Sequence, residues 1–216
     1  MPLQNRVTPF GEIVAHPARG LFLGNRGVLH DDNQQLGAAR WRMPHWVTCV
    51  LDFKGRQRAV MSPRRYTELF FLDEAVALAA GHRPCAECRR ADYNRFRGFW
   101  AAAYHVDGRV YAKDMDAVLH PARVARGTRA QIRHRRALGD LPDGVFVALD
   151  DTPGTAFLVL GERLLPYAFG HYGEARRRPS GPVTVLTPAP TVAVLAAGYR
   201  AQVHPSATEC LAKCRG

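Results

Sequence analysis

Short apolar runs broken by glycine fill the first third of the chain: GEIVAH, RGLFLGNRGVLH and WVTCVLDFKGRQRAVM. Runs of this length bounded by turn residues read as strands. Gly24-Asn25-Arg26-Gly27 reads as one turn and Lys54-Gly55 as another, so an antiparallel layer of hairpins is expected here. From Leu69 the period changes. Asp73 is placed to cap a short helix over EAVALAA, Gly81 to end it, and Pro84 to open the next turn. A second helix is expected over Glu87 to His105, with Tyr93, Phe96, Trp100 and Tyr104 at helical spacing and Arg89, Arg90, Arg95 and Arg97 between them. Spacing of this kind marks a core face more than a platform for stacking bases.

Beyond this helix, GRVYA reads as a strand and KDMDAVLH as a helix that Pro121 must end or kink. The last third returns to strand signals in GVFVAL, AFLVL, RLLPYAF and PVTVL, with Thr-Pro-Gly as a turn and a closing helix over TVAVLAA. The fold class is therefore α+β. Three parts are expected: a β-rich segment 1–66, a helical segment 67–140 and a β/α segment 141–216, compatible with one compact domain.

Composition narrows the function. At 216 residues and 47% hydrophobic the chain buries a substantial core. No run approaches the roughly 18 apolar residues of a membrane span, and MPLQNRVTPFGE lacks the layout of a secretion signal. A cytoplasmic protein without a membrane role is expected. Five cysteines fit a secreted disulfide framework poorly, so a close pair points to metal or redox work. The net charge of +11 favours an anionic partner, nucleic acid first.

The close pair is Cys85 and Cys88 in RPCAEC, in a connector leading into a helix. Two thiolates one turn apart suit a tetrahedral ion such as zinc, and supply two of its four ligands. Spacing leaves the others open among Cys49, Cys210, Cys214 and histidines such as His45 and His82. A thioredoxin-like role ranks lower, because a helix with a glycine stop precedes the pair where a βαβ unit would place a strand.

YTELFFLDEAVALAAGHRPCAECRR, residues 66–90, resembles the second half of the zinc module of Ada-type DNA alkylation repair proteins, with strand, short helix, Gly-aromatic-Arg-Pro and C-x-x-C in that order. Taking WVTCVLDFKGRQR as the preceding hairpin extends the resemblance to about residues 46–90. It implies zinc at Cys85 and Cys88, a related small fold and a DNA-facing ancestry. In that family two earlier cysteines complete the site and one accepts a methyl group. An ungapped extension puts those positions at Lys54 and Arg58, which can do neither, so methyl transfer is not implied. Cys49 is a displaced ligand or a small buried residue.

The longest basic run, AVLHPARVARGTRAQIRHRRALG, carries Arg123, Arg126, Arg129, Arg133, Arg135 and Arg136, with no acid between residues 117 and 139. These six are the expected phosphate contacts, and Arg176 to Arg178 form a second patch. No helix-turn-helix, RNP or finger spacing accompanies them, so base-specific reading is not expected. Candidate acid and base groups are His30, Asp31, Asp116 and His120, although Asp31 also fits a turn and Asp114 a helix cap. The expectation is a nucleic-acid-binding protein, DNA first, with a structural zinc and a place in DNA repair or processing. A hydrolase or glycosylase working through His and Asp groups is the alternative, and a small-molecule or protein-binding module the third.

Overall fold

The computed structural model describes residues 1–56, 59–125, 127 and 130–213. The N-terminal sheet contains β1 (Gln4–Val7), β2 (Ile13–Ala15), β3 (Phe22–Asn25), β4 (Val47–Val50), β5 (Leu69–Phe71) and β6 (Arg83–Pro84), in the order β2-β1-β5-β3-β4-β6. It is mixed, not the antiparallel layer that the turn residues suggest: β1 runs parallel to β5, and β4 to β6. Parallel partners are joined by long crossovers, which hairpin punctuation does not register.

Two expected turns change meaning. Gly24 and Asn25 belong to β3 itself, and a Cβ at Gly24 would lie 2.3 Å from the Val47 carbonyl oxygen of β4. This glycine therefore serves a close backbone approach and not a reversal. Lys54 (φ 55°) and Gly55 (φ 64°) do turn the chain, but Ala59–Met61 form no return strand. The Met61 N–H is held by Glu68 Oε2 at 2.8 Å, so a side chain takes the place of a ladder there.

Helix α1 (Glu74–Ala79) follows the expected plan. Asp73 Oδ1 accepts from the Val76 N–H at 2.9 Å, and Gly81 (φ +85°) ends the turn. Helix α2 (Arg90–Tyr104) buries Tyr93, Phe96 and Trp100, while Tyr104 is 38% exposed and stacks on Trp100. It begins three residues later than the spacing suggests, so Cys88 sits in the turn before it.

GRVYA forms no strand. Its Val110 is buried, and the Tyr111 N–H donates to Asp114 Oδ2 at 3.0 Å at the start of α3 (Ala112–Arg123). Asp114 is thus the acceptor in the helix's first turn, with Tyr111 in the cap position. Pro121 does not end α3. It lies in the last turn, where one ladder bond is lost, and the buried Arg123 side chain holds that turn through the Gly81 carbonyl at 2.7 Å.

The second sheet contains β7 (His134–Ala137), β8 (Phe146–Leu149), β9 (Thr152–Leu160), β10 (Arg163–Pro166), β11 (Arg176–Arg177) and β12 (Pro182–Val185), ordered β11-β10-β9-β8-β12-β7. Its pairings are antiparallel. The charged strand β7 was not legible as a strand because it lies at the sheet edge, where charged side chains keep other chains from pairing. Thr-Pro-Gly lies inside β9, with the reversal at Asp150–Asp151 and a register shift between Ala148 and Leu149. Helices α4 (Ala189–Ala196) and α5 (Pro205–Lys213) close the chain, and the second of these has no counterpart in the hydrophobic pattern. No described helix is long and apolar enough to cross a membrane.

One apolar cluster joins Val7 and Phe71 of the first sheet to Ala75 of α1, Phe146 and Leu158 of the second sheet, and Ala207 of α5. Acids at the start of α1 tie the same elements together. Asp73 Oδ2 accepts from the Tyr172 hydroxyl at 2.6 Å and from the His204 N–H at 2.9 Å. Burial pushes Asp73 up to about 6 from its ordinary 3.8, against the pull of these hydrogen bonds. A carboxyl raised in the folded state contributes stability that is full below its unfolded value and lost as pH rises through its folded one. Acidification from neutral pH toward 4 should therefore stabilise the protein through Asp73 by on the order of 3 kcal/mol. Denaturant unfolding of wild type and Asp73→Asn across that range should show this gain in the wild type alone. Parallel pH profiles would remove the assignment.

Candidate metal centre and arginine-lined cavity

Cys49, Cys85 and Cys88 come from two segments 36 residues apart and meet because β4 pairs in parallel with β6. In that register Thr48 faces Pro84, and the Cys85 N–H donates to the Thr48 carbonyl at 2.9 Å. The tight turn before α2, closed by the Arg89 N–H on the Cys85 carbonyl at 3.2 Å, brings Cys88 back to its neighbour. All three sulfur atoms lie within 4.8 Å of one another, each partly buried. Tetrahedral thiolates at about 2.3 Å from a zinc ion lie roughly 3.8 Å apart, so small side-chain adjustments bring the three onto one ion. These three cysteines can hold a metal ion.

The group is electrostatically asymmetric. A hydrogen bond from the Cys49 thiol pulls Cys85 down to about 5, helped by the backbone N–H groups of Cys88 and Glu87 and opposed by burial. Cys49 is pushed far up by the same hydrogen bond and by burial, and burial also raises Cys88. Cys85 is therefore the most acidic thiol of the three. A metal must displace protons from its neighbours, so metal affinity falls on acidification.

The other proposed ligands lie elsewhere. Cys210 donates to the Tyr172 carbonyl at 3.3 Å, and Cys214 is outside the described residues. His82 is buried under α1, where its ring packs against Trp46 and Phe71. His45 pairs with Asp116. Among the acid and base candidates, His30 spends both ring nitrogens on structure, at Thr67 Oγ1 (2.6 Å) and the Ser62 carbonyl (3.1 Å). Asp31 Oδ1 accepts from the Asn33 and Gln35 N–H groups, as its turn reading requires.

A cavity of about 600 Å³ opens between the loop after β3, the loop after β1 and the end of α3. Arg26, Arg40, Arg123 and Arg133 line it with Phe10, Trp41 and Trp46, against Glu12 as the one acid among the described lining residues. The guanidinium groups of Arg26 and Arg123 lie 4.2 and 4.0 Å from the centre of the Trp46 ring. Both arginines are essentially buried, and no described ion pair involves either. Arg26 donates to the Gly11 and Ala80 carbonyls and to His82 Nε2, and Arg123 to the Gly81 and Pro44 carbonyls. Burial first, and then the neighbouring cations, lower Arg26 to about 9. Burial likewise lowers Arg123 to about 9, against the pull of Asp116. Both remain cationic at neutral pH. Gly81 permits this arrangement, since a Cβ there would meet Arg123 Cδ at 2.6 Å.

The basic run is thus divided. Arg123 is buried in this cavity and not on a solvated face, and Arg133 reaches its rim with the guanidinium over Phe10. Arg135 stands exposed on β7 and pairs with Asp150 at 2.5 and 2.9 Å, and Arg136 beside it is exposed. Arg126 and Arg129 lie outside the described residues. Arg26, Arg40, Trp41 and Trp46 were missed by sequence reasoning. Their only signal was the isolated Arg in Gly-Asn-Arg-Gly, which reads as a turn.

A second cavity of about 560 Å³ shares Trp41 and Val124 with the first and is also lined by His45, Lys113, Asp116 and His120. Asp116, 2% exposed at its side chain, is held by Arg83 through both oxygens (3.0 and 2.7 Å) and contacts His45 Nδ1 at 2.9 Å. His45 is 56% exposed, so a buried acid orients an accessible imidazole. His120 packs its ring edge-on to Trp41 at 4.5 Å.

Comparison of this chain with protein-family models, with curated proteins and with solved structures finds no match.

Proposed function

We propose that this protein binds nucleic acid, DNA first, and that Cys49, Cys85 and Cys88 hold a structural zinc fixing β4, β6 and the start of α2. The observation that carries the binding half is a stretch free of acids that leads from Arg123 and Arg133 at the cavity to Arg135 and Arg136 on an exposed edge strand, in a chain of net charge +11. Arginine offers planar, bidentate donors to phosphate, and such contacts bind sequence-independently. The zinc half is supported by the meeting of Cys49 with the C-x-x-C pair. It fits the resemblance to the Ada-type module, with Cys49 in place of the ligand lost at Lys54 or Arg58. A role in DNA repair or processing rests on that resemblance.

The three thiolates would fill three of the four positions zinc takes, and the described residues do not supply the fourth. Arg133→Ala/Arg136→Ala should lower the slope of log K against log salt on duplex DNA by about 1.8, as loss of two phosphate contacts requires. An unchanged slope would remove those residues from the interface.

The His45–Asp116 pair favours a hydrolytic reading as the second possibility. An imidazole oriented by a buried carboxylate would take a proton from water as the water oxygen bonds to phosphorus and the bond from phosphorus to the leaving oxygen breaks, with the leaving oxygen protonated by the imidazolium or by solvent. Turnover of an oligonucleotide that His45→Ala abolishes without weakening binding would establish this reading. Absence of turnover on single-stranded, duplex and lesion-containing DNA would exclude it for these substrates.

A further inference from the structure

We propose that the cavity over Trp46 is a binding site for a nucleoside phosphate, with the phosphoryl group between Arg26, Arg123 and Arg40 and the base against Trp41. Two features point to a ligand. Two buried guanidinium groups share one aromatic ring and hydrogen-bond only to carbonyls and to the His82 and His120 rings, and Asp116, the acid that acts on Arg123, is itself held through both oxygens by Arg83, which leaves positive charge only partly compensated in a low-dielectric setting. In addition, Arg123 Nε and Gln131 Oε1, both at the cavity, are buried without a hydrogen-bond partner among the described residues. An incoming dianion compensates the charge, and the ligand's phosphate and sugar hydroxyls provide an acceptor for Nε and a donor for Oε1.

The ring assignments follow from exposure. Trp46 is 2% exposed and covered by the two guanidinium groups, with its Nε1–H committed to the Met43 carbonyl at 2.8 Å, so it offers no face to a ligand. Trp41 is only half-buried and lines both cavities, which makes it the available stacking surface. Arg40 is also partly exposed, and its contacts are to the Gly37 and Ala39 carbonyls, which leaves its charge for the ligand. Glu12 at the rim disfavours a second anionic group on that side.

The same chemistry is presented by a free mononucleotide and by the phosphorylated end of a strand, and only the second source rests on the nucleic-acid reading. Thermal unfolding of the intact protein should be followed with inorganic phosphate, a nucleoside, a nucleoside 5′-monophosphate and sodium chloride at matched ionic strength. Phosphate and the monophosphate should raise the midpoint above the salt control and the nucleoside should not, because ligand binding to the folded state is stabilising. Trp41→Ala, at a partly exposed position, should weaken the monophosphate by about tenfold, as loss of one base-stacking contact does, and leave phosphate unchanged. Arg26→Gln should abolish both, and Arg40→Ala, which is less buried, should weaken both if Arg26→Gln does not fold. Midpoints that follow the salt control for every phosphate-bearing probe would overturn the site. Equal monophosphate affinity in wild type and Trp41→Ala would overturn the placing of the base.

Competition assigns the source. A 5′-phosphorylated oligonucleotide that the monophosphate displaces, and that outbinds its unphosphorylated twin, identifies a strand end. Monophosphate binding without any oligonucleotide affinity identifies a free nucleotide and refutes the nucleic-acid reading while the cavity site stands.

Discussion

Replacing Cys49 with serine is expected to remove bound zinc and to destabilise the whole N-terminal sheet. Cys49 lies on β4, whose neighbours are β3 on one side and β6 on the other, and the Cys85 and Cys88 thiols reach it from the far side of the parallel β4/β6 pair. A shared ion would thus link the strand to the turn that launches α2. Structural zinc contributes an apparent binding energy of about 10–16 kcal/mol in zinc-finger peptides at pH 7, and all of it is conditional on the fold. Loss of one thiolate from a set of three should forfeit several kcal/mol of this, or roughly 10 °C of unfolding midpoint for a chain of this size. Wild type as purified should contain one zinc per chain by elemental analysis, and Cys49→Ser and Cys85→Ser close to none. Cys210→Ser should keep its zinc, since that thiol bonds the Tyr172 carbonyl. Metal-free wild type with an unfolding midpoint that chelator leaves unchanged would contradict the zinc assignment.

Glu74→Gln is expected to cost about 3–5 kcal/mol, the range for removing one partner of a buried ion pair. The Glu74 carboxylate is fully buried and accepts from Arg89 Nη2 at 2.8 Å, from the Tyr199 hydroxyl at 2.7 Å and from the Gln202 N–H at 2.8 Å. All three partners are donors. A glutamine amide would keep one acceptor oxygen but put an NH2 group in place of the other, leaving a donor facing a donor there and the buried Arg89 with Asp92 as its remaining ion-pair partner. Because Tyr199 and Gln202 follow α4, the loss should loosen the C-terminal segment from α1 as well. Chemical denaturation with hydrogen exchange of the 199–213 segment checks this. A cost below about 1 kcal/mol would mean that Glu74 contributes no more than an exposed pair.

The chain displays its local decisions more openly than its long-range ones. The Asp73 cap, the Gly81 stop and the buried face of α2 were legible because each is set by neighbours within a few residues. Strand β1, the parallel pairings and the charged edge strand β7 depend on partners far along the chain, and no local pattern announces them. The same division runs through the candidate sites. Cys85 and Cys88 lie three positions apart and form a pair legible from the sequence, whereas Cys49 joins them only through the β4/β6 register. Arg26 and Arg123 are 97 residues apart and meet on Trp46, so the run of arginines pointed to charge but not to its burial. Gly24 misled in the other direction, since the close approach of β4 and a turn call for the same residue.

The most direct test of the proposed function is fluorescence anisotropy of the intact, zinc-loaded protein with labelled single-stranded, duplex and lesion-containing DNA across a salt series. Binding is expected, with affinity that falls linearly in log K against log salt and a slope that reports several phosphate contacts. Flat curves for all three DNA forms at low salt would contradict it.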